Sequence, residues 1–210
     1  MKKIVPSDLT RKRYNRIAFI YDLFEYPMEW HRFASWRAGL MDKVKGRHVL
    51  EVGVGTGKNL PHYPKDIKAI AIDLSPRMLK KAKNRASALN TKVELLEMDV
   101  QYLSFPDDYF DTVFATFVFC SVPDPVLGLR ELRRVCKPGG RLLLLEHMRP
   151  GNPILGLIFD TLNPVVVRMM GANINRRTME NILKAGWCIK EETLLSSDIV
   201  KLIHMLRISH

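Results

Sequence analysis

From Val49-Leu50-Glu51-Val52 the chain runs straight into Gly53-Val54-Gly55-Thr56-Gly57, an apolar run that breaks into glycines at alternate positions. Such a segment reads as a buried strand followed by a turn whose bare peptide can be closely approached, because no Cβ intervenes. A second apolar run ends in Ile72-Asp73, twenty residues after the first glycine. Beyond it, strand and helix patterns alternate. His48 to Val52, Ile67 to Ile72, Val93 to Met98, Thr112 to Thr116 and Arg141 to His147 read as strands, with helices near Pro76 to Ala88 and Asp124 to Val135. Alternation of this kind predicts an α/β fold with an open, largely parallel sheet and helices on both faces.

In such a sheet a ligand sits outside the carboxyl ends of the strands, where strand order reverses. The Gly53 to Gly57 turn, Asp73, Asp99 and the Thr116-Phe117 edge all fall at predicted strand ends. Asp73 is placed to accept hydrogen bonds from a ribose. The spacing is GxGxG, with Lys58 where a dinucleotide fingerprint carries its last glycine. This departure favours a nucleoside such as S-adenosylmethionine over NAD, whose pyrophosphate must rest on the helix N-terminus. The rival class, an oxidoreductase or noncatalytic nucleotide-binding domain, predicts the intact fingerprint.

Five blocks in order carry a resemblance to a known family. They are Leu50 to Gly57, Ile72 to Leu79, Met98-Asp99-Val100, Phe105-Pro106-Asp107-Asp108-Tyr109-Phe110-Asp111, and Leu132 to Leu142. Together they resemble the small class I S-adenosylmethionine-dependent methyltransferases related to the ubiquinone/menaquinone C-methyltransferases. The resemblance implies a Rossmann-like sheet in the order 3-2-1-4-5-7-6, closing on a hairpin from Trp187 to Leu194 and Lys201 to Ile208. It also implies a cofactor site. Gly53, Gly55 and Gly57 would pack on the ribose and amino-acid portions, and Asp73 would accept both ribose hydroxyls. Asp99 and the Val100 backbone would face the adenine amine, with Leu74 and Met78 about the ring. Thr116 and Phe117 would line the methionine arm, and Glu51 would buttress the loop.

At 210 residues there is room for one domain and a full core. The expected parts are an N-terminal helical lid over 1–45, a cofactor-binding core over 46–148, a substrate-covering insertion over 149–175, and a C-terminal helix with strand hairpin over 176–210. Leu9 to Leu40 reads as one or two helices opened by Ser7-Asp8, and Gly151 to Ala172 as an insertion of short helices. Asn175 to Ala185 reads as a helix stopped by Gly186. Cys120, Cys136 and Cys188 lie far apart and form neither a ligand pair nor a disulfide framework, so a reducing cytoplasm is expected and no metal. The N-terminus lacks the apolar stretch of a signal peptide. Ile154 to Met170 is interrupted by Asp160, Asn163, Pro164 and Arg168, which does not suit a membrane span.

Methyl transfer from a sulfonium needs an aligned acceptor more than an acid/base pair. His147, after the fifth strand, is the candidate general base. Tyr14 and Tyr21 lie in a stretch similar to the N-terminal helix that closes over the cofactor in related lipid and quinone enzymes, and an aromatic ring there would attract the cation. The edge Thr116 to Val122 is not the Asn/Asp-Pro-Pro-Tyr/Phe type that holds a nucleobase nitrogen, so nucleic acid is not the expected acceptor despite a net charge of +11. A basic amphipathic N-terminal helix and the apolar insertion suggest an apolar or amphiphilic acceptor and peripheral contact with an anionic membrane surface at its inner face. Thr116 to Val122, Glu146-His147 and Gly171 to Thr178 also resemble bacterial phosphatidylethanolamine N-methyltransferases and mammalian methyltransferase-like thiol methyltransferases. On that likeness, Arg168, Arg176 and Arg177 would hold a lipid phosphate. The order of expectation is N-methylation of a phosphatidylethanolamine-like lipid, then quinone C-methylation, then thiol S-methylation.

Overall fold

The computed structural model describes residues 7–19, 32–196 and 198–208. Seven strands form one sheet: β1 (His48–Val52), β2 (Lys68–Asp73), β3 (Val93–Glu97), β4 (Phe110–Thr116), β5 (Cys136–His147), β6 (Cys188–Ser196) and β7 (Val200–Leu206). Their order is β3-β2-β1-β4-β5-β7-β6, as the resemblance implied. The ladders from β3 to β5 are parallel, whereas β7 runs antiparallel to both β5 and β6. The short connection between β6 and β7 permits only a hairpin, so β7 enters the sheet against the direction of its neighbours.

The central strands are buried on both faces, which is why they read as continuous apolar runs. Along β5, Leu142 and Leu144 join one core with Leu50, Val113, Leu129 and Leu132, while Leu143 and Leu145 join a second with Leu40, Val49 and Phe114. Two helices cover these faces beside the ligand crevice. α3 (Pro76–Leu89) starts where the Ser75 hydroxyl accepts from Met78 N at 3.2 Å, and α4 (Pro125–Val135) where Asp124 accepts from Leu127 N at 3.0 Å. In both, proline takes the first helical position, where its missing N–H leaves no bond unmade.

Outside the central sheet the elements differ in part from the sequence reading. The N-terminal segment carries two helices among the described residues, within the one or two expected: α1 (Ser7–Ile17), with Ser7 inside it rather than before it, and α2 (Ala34–Met41). The segment after β5 is not a set of short helices but one helix of 18 residues, α5 (Pro153–Met170), which continues through Pro164. Asn152 caps it by accepting from Ile154 N and Leu155 N at 3.0 and 3.2 Å, and Gly171 ends it at φ +81°. α6 (Thr178–Lys184) begins three residues later than expected, because Asn173, Asn175 and Arg176 tie this segment to its neighbours instead of turning into helix.

Candidate active site

β1 lies between β2 and β4, where the strand order reverses, and the glycine turn leaves its carboxyl end. Gly53 has φ +67°, and a Cβ built on it would stand 2.4 Å from Val118 Cγ2, so a side chain is excluded both by conformation and by the adjoining loop. Gly55, at φ +56°, has no such neighbour; its open side forms part of a cavity wall. Gly57 lies against Leu60 and Ala82, away from that wall.

The cavity is open to solvent on one side. Nine of the eleven expected cofactor residues line it: Gly53, Gly55, Asp73, Leu74, Met78, Asp99, Val100, Thr116 and Phe117. Glu51 and Gly57 are the two that do not. Asp73 accepts from Gly55 N and from Ser75 N, both at 2.8 Å, which fixes its carboxylate against the glycine turn. Burial raises its pKa to about 6 in spite of those amides. Asp99 is held by Gln101, whose backbone N–H donates at 2.9 Å and whose amide donates to both carboxylate oxygens at 3.1 Å.

Helix α1 closes one side of the cavity with Thr10, Arg11 and Tyr14. Its anchors are polar. Gln101 Nε2 donates to Ser7 Oγ at 2.8 Å, Arg11 pairs with Glu97 at 2.7 Å, and Asn15 Oδ1 accepts from Ser75 Oγ at 2.7 Å and from Arg77 N at 3.3 Å. The helix therefore docks on residues that flank the two acidic groups. Tyr21 lies outside the described residues. Sequence reasoning passed over Gln101 and Asn15, whose only signal was adjacency to Asp99 and Tyr14.

Behind the glycine turn is a buried polar network. Asn59 Nδ2 donates to Glu51 Oε1 at 2.6 Å and to Thr116 Oγ1 at 3.0 Å, and the Tyr63 hydroxyl donates to Glu51 Oε2. Arg37 donates to Asn59 Oδ1 at 3.0 Å and to Thr116 Oγ1 at 2.8 Å. Burial lifts the Glu51 pKa to about 7, opposed by the Tyr63 and Asn59 bonds and by the Arg37 charge. With both lone pairs of the Thr116 oxygen taken, its O–H is a donor at the cavity wall. Arg37, Asn59 and Tyr63 were not foreseen, since each meets its partners only across the fold.

At the end of β4, Phe117 adopts φ +57°, a conformation that costs a residue with a Cβ about 1 to 2 kcal/mol. Glu146 holds the turn beyond it, with Oε1 accepting from Val118 N at 2.8 Å and Phe119 N at 3.0 Å. Glu146 is fully buried, and burial lifts its pKa to about 7. The Phe117 ring stacks on Phe33 at 4.9 Å and lies 5.9 Å beneath the Arg37 guanidinium.

Other expected residues are not brought to the cavity. His147 stacks against Phe117 at 6.3 Å without entering the lining, its Nε2 is buried without a partner, and burial lowers its pKa. Arg176 donates to the carbonyls of Cys120 and Val122 at 3.2 and 2.9 Å, which ties down the turn after β4. Arg177 pairs with Glu180 at 3.1 Å, and Arg168 is exposed in the last turn of α5. None of the three arginines lines the cavity. Among the described residues, no group of three or more His, Cys, Asp or Glu side chains could hold a metal ion.

Residues 50–144 match the family described as a methyltransferase domain. A phosphatidylethanolamine N-methyltransferase of Cereibacter sphaeroides is 41% identical over 106 residues, 50% of this chain and 52% of that protein, so the match spans about half of that relative's length. A demethylmenaquinone methyltransferase of Thermus thermophilus is 31% identical over 168 residues, covering 77% of this chain and 76% of the relative. A solved S-adenosylmethionine-dependent methyltransferase from Thermotoga maritima shares the fold, with a TM-score of 0.71 at 21% identity over 93% of this chain and 99% of its own.

Proposed function

Because the chain belongs to the class I S-adenosylmethionine-dependent methyltransferases, we propose that it N-methylates a phosphatidylethanolamine-like lipid. The cofactor, S-adenosylmethionine, supplies a methyl group already activated on a sulfonium. The protein's work is then to align the acceptor and exclude water, and orientation alone can contribute roughly 7 to 11 kcal/mol.

The cavity residues suit this cofactor. Asp73, its carboxylate fixed by the Gly55 and Ser75 amides, lines the cavity as the acceptor for the ribose hydroxyls. In the proposed reading, Asp99 and the Val100 main chain face the adenine amine, and Leu74 and Met78 flank its ring. The open side of Gly55 admits the ligand against bare backbone. Thr116, aimed by Arg37 and Asn59, donates toward the amino-acid arm, while Glu51 and Gly57 brace the turn from behind. Tyr14 stands on the lid side, where a ring beside a cation gains roughly 0.5 to 2 kcal/mol.

The observation that carries the acceptor assignment is the 41% identity to a phosphatidylethanolamine N-methyltransferase. An aromatic wall supports it, because Phe117 lines the cavity and stacks on Phe33 behind it. Burial of an ammonium in such surroundings lowers its pKa, so the amine sheds its proton without a dedicated base. His147 has no proton-transfer role in this reading. An acceptor of this kind places the protein's work at the cytoplasmic face of a membrane. Quinone C-methylation is the second reading, favoured by the similarity to the Thermus enzyme over three quarters of both chains. Thiol S-methylation ranks third, since the burial that helps an amine keeps a thiol protonated.

The test is transfer of labelled methyl from S-adenosylmethionine to phosphatidylethanolamine, demethylmenaquinone or a small thiol, each dispersed in the same detergent. Label in mono- and dimethylated ethanolamine lipid is expected. Label confined to the quinone or the thiol overturns the assignment.

A further inference from the structure

Helix α5 is inside out. At 3.6 residues per turn, Gly156, Asp160 and Asn163 share one face, and that face is turned to the protein. Asp160 accepts from Arg149 at 2.9 Å and from Asn175 at 3.0 Å; Asn163 bonds Asn173 at 3.2 Å and Ile174 N at 2.9 Å; Gly156 is buried beneath the Arg149 guanidinium. The opposite face carries Ile154, Ile158, Leu162, Val165 and Met169, which are 73, 45, 50, 57 and 69% exposed. A surface helix ordinarily turns its apolar stripe to the core and its polar stripe to water. Here polar contacts fasten the helix and the apolar stripe is left outward.

We propose that α5 is an in-plane docking helix that seats this enzyme on an anionic bilayer, with the basic side chains of α1 as its electrostatic partner. The inference rests on the amphiphile reading of the acceptor and names the surface from which it enters. Charge selects the occupant. The chain carries a net +11, and α1 has four basic residues against the single acid Asp8: Arg11, which pairs with Glu97, Arg13, and the exposed Lys12 and Arg16. The C-terminal end of α5 abuts this helix: a Cβ on Gly171 would stand 3.2 Å from Arg13 Cδ. A second copy brought against the same face would set one strongly cationic surface on another, whereas anionic headgroups neutralise it. Among the described residues no helix is long and apolar enough to cross a membrane, and an apolar stripe facing away from the protein suits a helix lying at the headgroup boundary. Because α1 also lines the cofactor cavity through Thr10, Arg11 and Tyr14, the docked face and the reaction site share an element.

The experiment is flotation of the full chain with phosphatidylglycerol/phosphatidylcholine vesicles, which contain no ethanolamine lipid, with pure phosphatidylcholine vesicles alongside. Wild type is expected to float with the anionic vesicles and to lose most of that binding in high salt or on the neutral vesicles. Replacing the outward residues with I154S, I158S, L162S and V165S together is expected to lower binding more than tenfold while leaving S-adenosylhomocysteine affinity unchanged. The pair K12E and R16E is expected to lower binding to the anionic vesicles alone. Equal flotation of wild type and the serine variant overturns the proposal, as does wild type that stays at the bottom of the gradient. A wild-type dimer that dissociates in the serine variant also overturns it, assigning the face to a second copy. Methyl transfer to detergent-dispersed acceptor separates the two readings: its absence sinks the acceptor assignment, whereas flotation decides the docking surface.

Discussion

The smallest parts of the account are single backbone and carboxylate positions. Gly53 and Gly55 both sit at positive φ, yet only Gly53 would collide with a neighbour if it gained a Cβ. Gly53→Ala is therefore expected to lower the melting temperature markedly, by contact as well as strain. Gly55→Ala carries the conformational strain alone, about 1 kcal/mol, but sets a methyl group at the cavity wall. It is expected to weaken S-adenosylhomocysteine binding at least tenfold with only a small loss of melting temperature. Calorimetric titration beside a thermal melt checks the pair, and equal affinity in Gly55→Ala would remove the turn from the cofactor site. The alternate glycines and Asp73 were legible in the sequence because each occupies a fixed place at a strand end. Arg37, Asn59, Tyr63 and Gln101 were not. Arg37 meets Thr116 across 79 positions of chain and Gln101 meets Ser7 across 94, and no local pattern encodes such a meeting.

Among the elements, α1, like α5, is held by a few polar contacts rather than by buried apolar area; none of its residues is fully buried. Asn15 joins it to Ser75 and Arg77 at the start of α3, so Asn15→Ala removes two bonds near the Asp73 carboxylate. Loss of hydrogen bonds of this kind costs about 1 kcal/mol each. The variant is expected to release S-adenosylhomocysteine severalfold faster in stopped-flow measurements while its melting temperature stays within a few degrees. An unchanged release rate would show that α1 does not gate the site. Strand placement was readable from the apolar runs, which differ from the observed strands mainly at their ends. The segment after β5 was not, because its Gly and Pro content reads as short helices, whereas α5 runs unbroken through Pro164. Asp160 and Asn163 looked like breaks in an apolar run, and they are the groups that fasten α5.

For the whole molecule, three buried carboxyls set a pH dependence. Glu51 and Glu146 are raised to about 7 and Asp73 to about 6, in each case first by burial. The folded chain thus holds protons that the unfolded chain, with ordinary carboxyl pKa values, has already released. By linkage, the stability these groups contribute is fully present below the unfolded values and is lost as pH rises through the folded ones. His147 and His204 are lowered by burial and act in the opposite sense, but their effect is complete once pH exceeds the ordinary histidine value. The ligand-free protein is therefore expected to melt at a lower temperature at pH 8.5 than at pH 6.5, and Glu51→Gln is expected to flatten that difference. A melting temperature independent of pH over this range, or an unaltered slope in Glu51→Gln, would contradict the assignment of raised carboxyls. Cofactor binding runs the other way, because Asp73 must be ionised to accept two hydroxyls and loses that capacity as pH falls through about 6. The order β3-β2-β1-β4-β5-β7-β6 was reachable from the family resemblance, and it is this order that gathers the separated strand ends into one crevice. The most direct measurement on that crevice is calorimetric titration of S-adenosylhomocysteine into wild type and Asp73→Asn at pH 8. Saturable one-to-one binding to wild type is expected, at least tenfold weaker in the variant. No binding to wild type, or equal binding to both, would contradict a cofactor site built on Asp73 and the glycine turn.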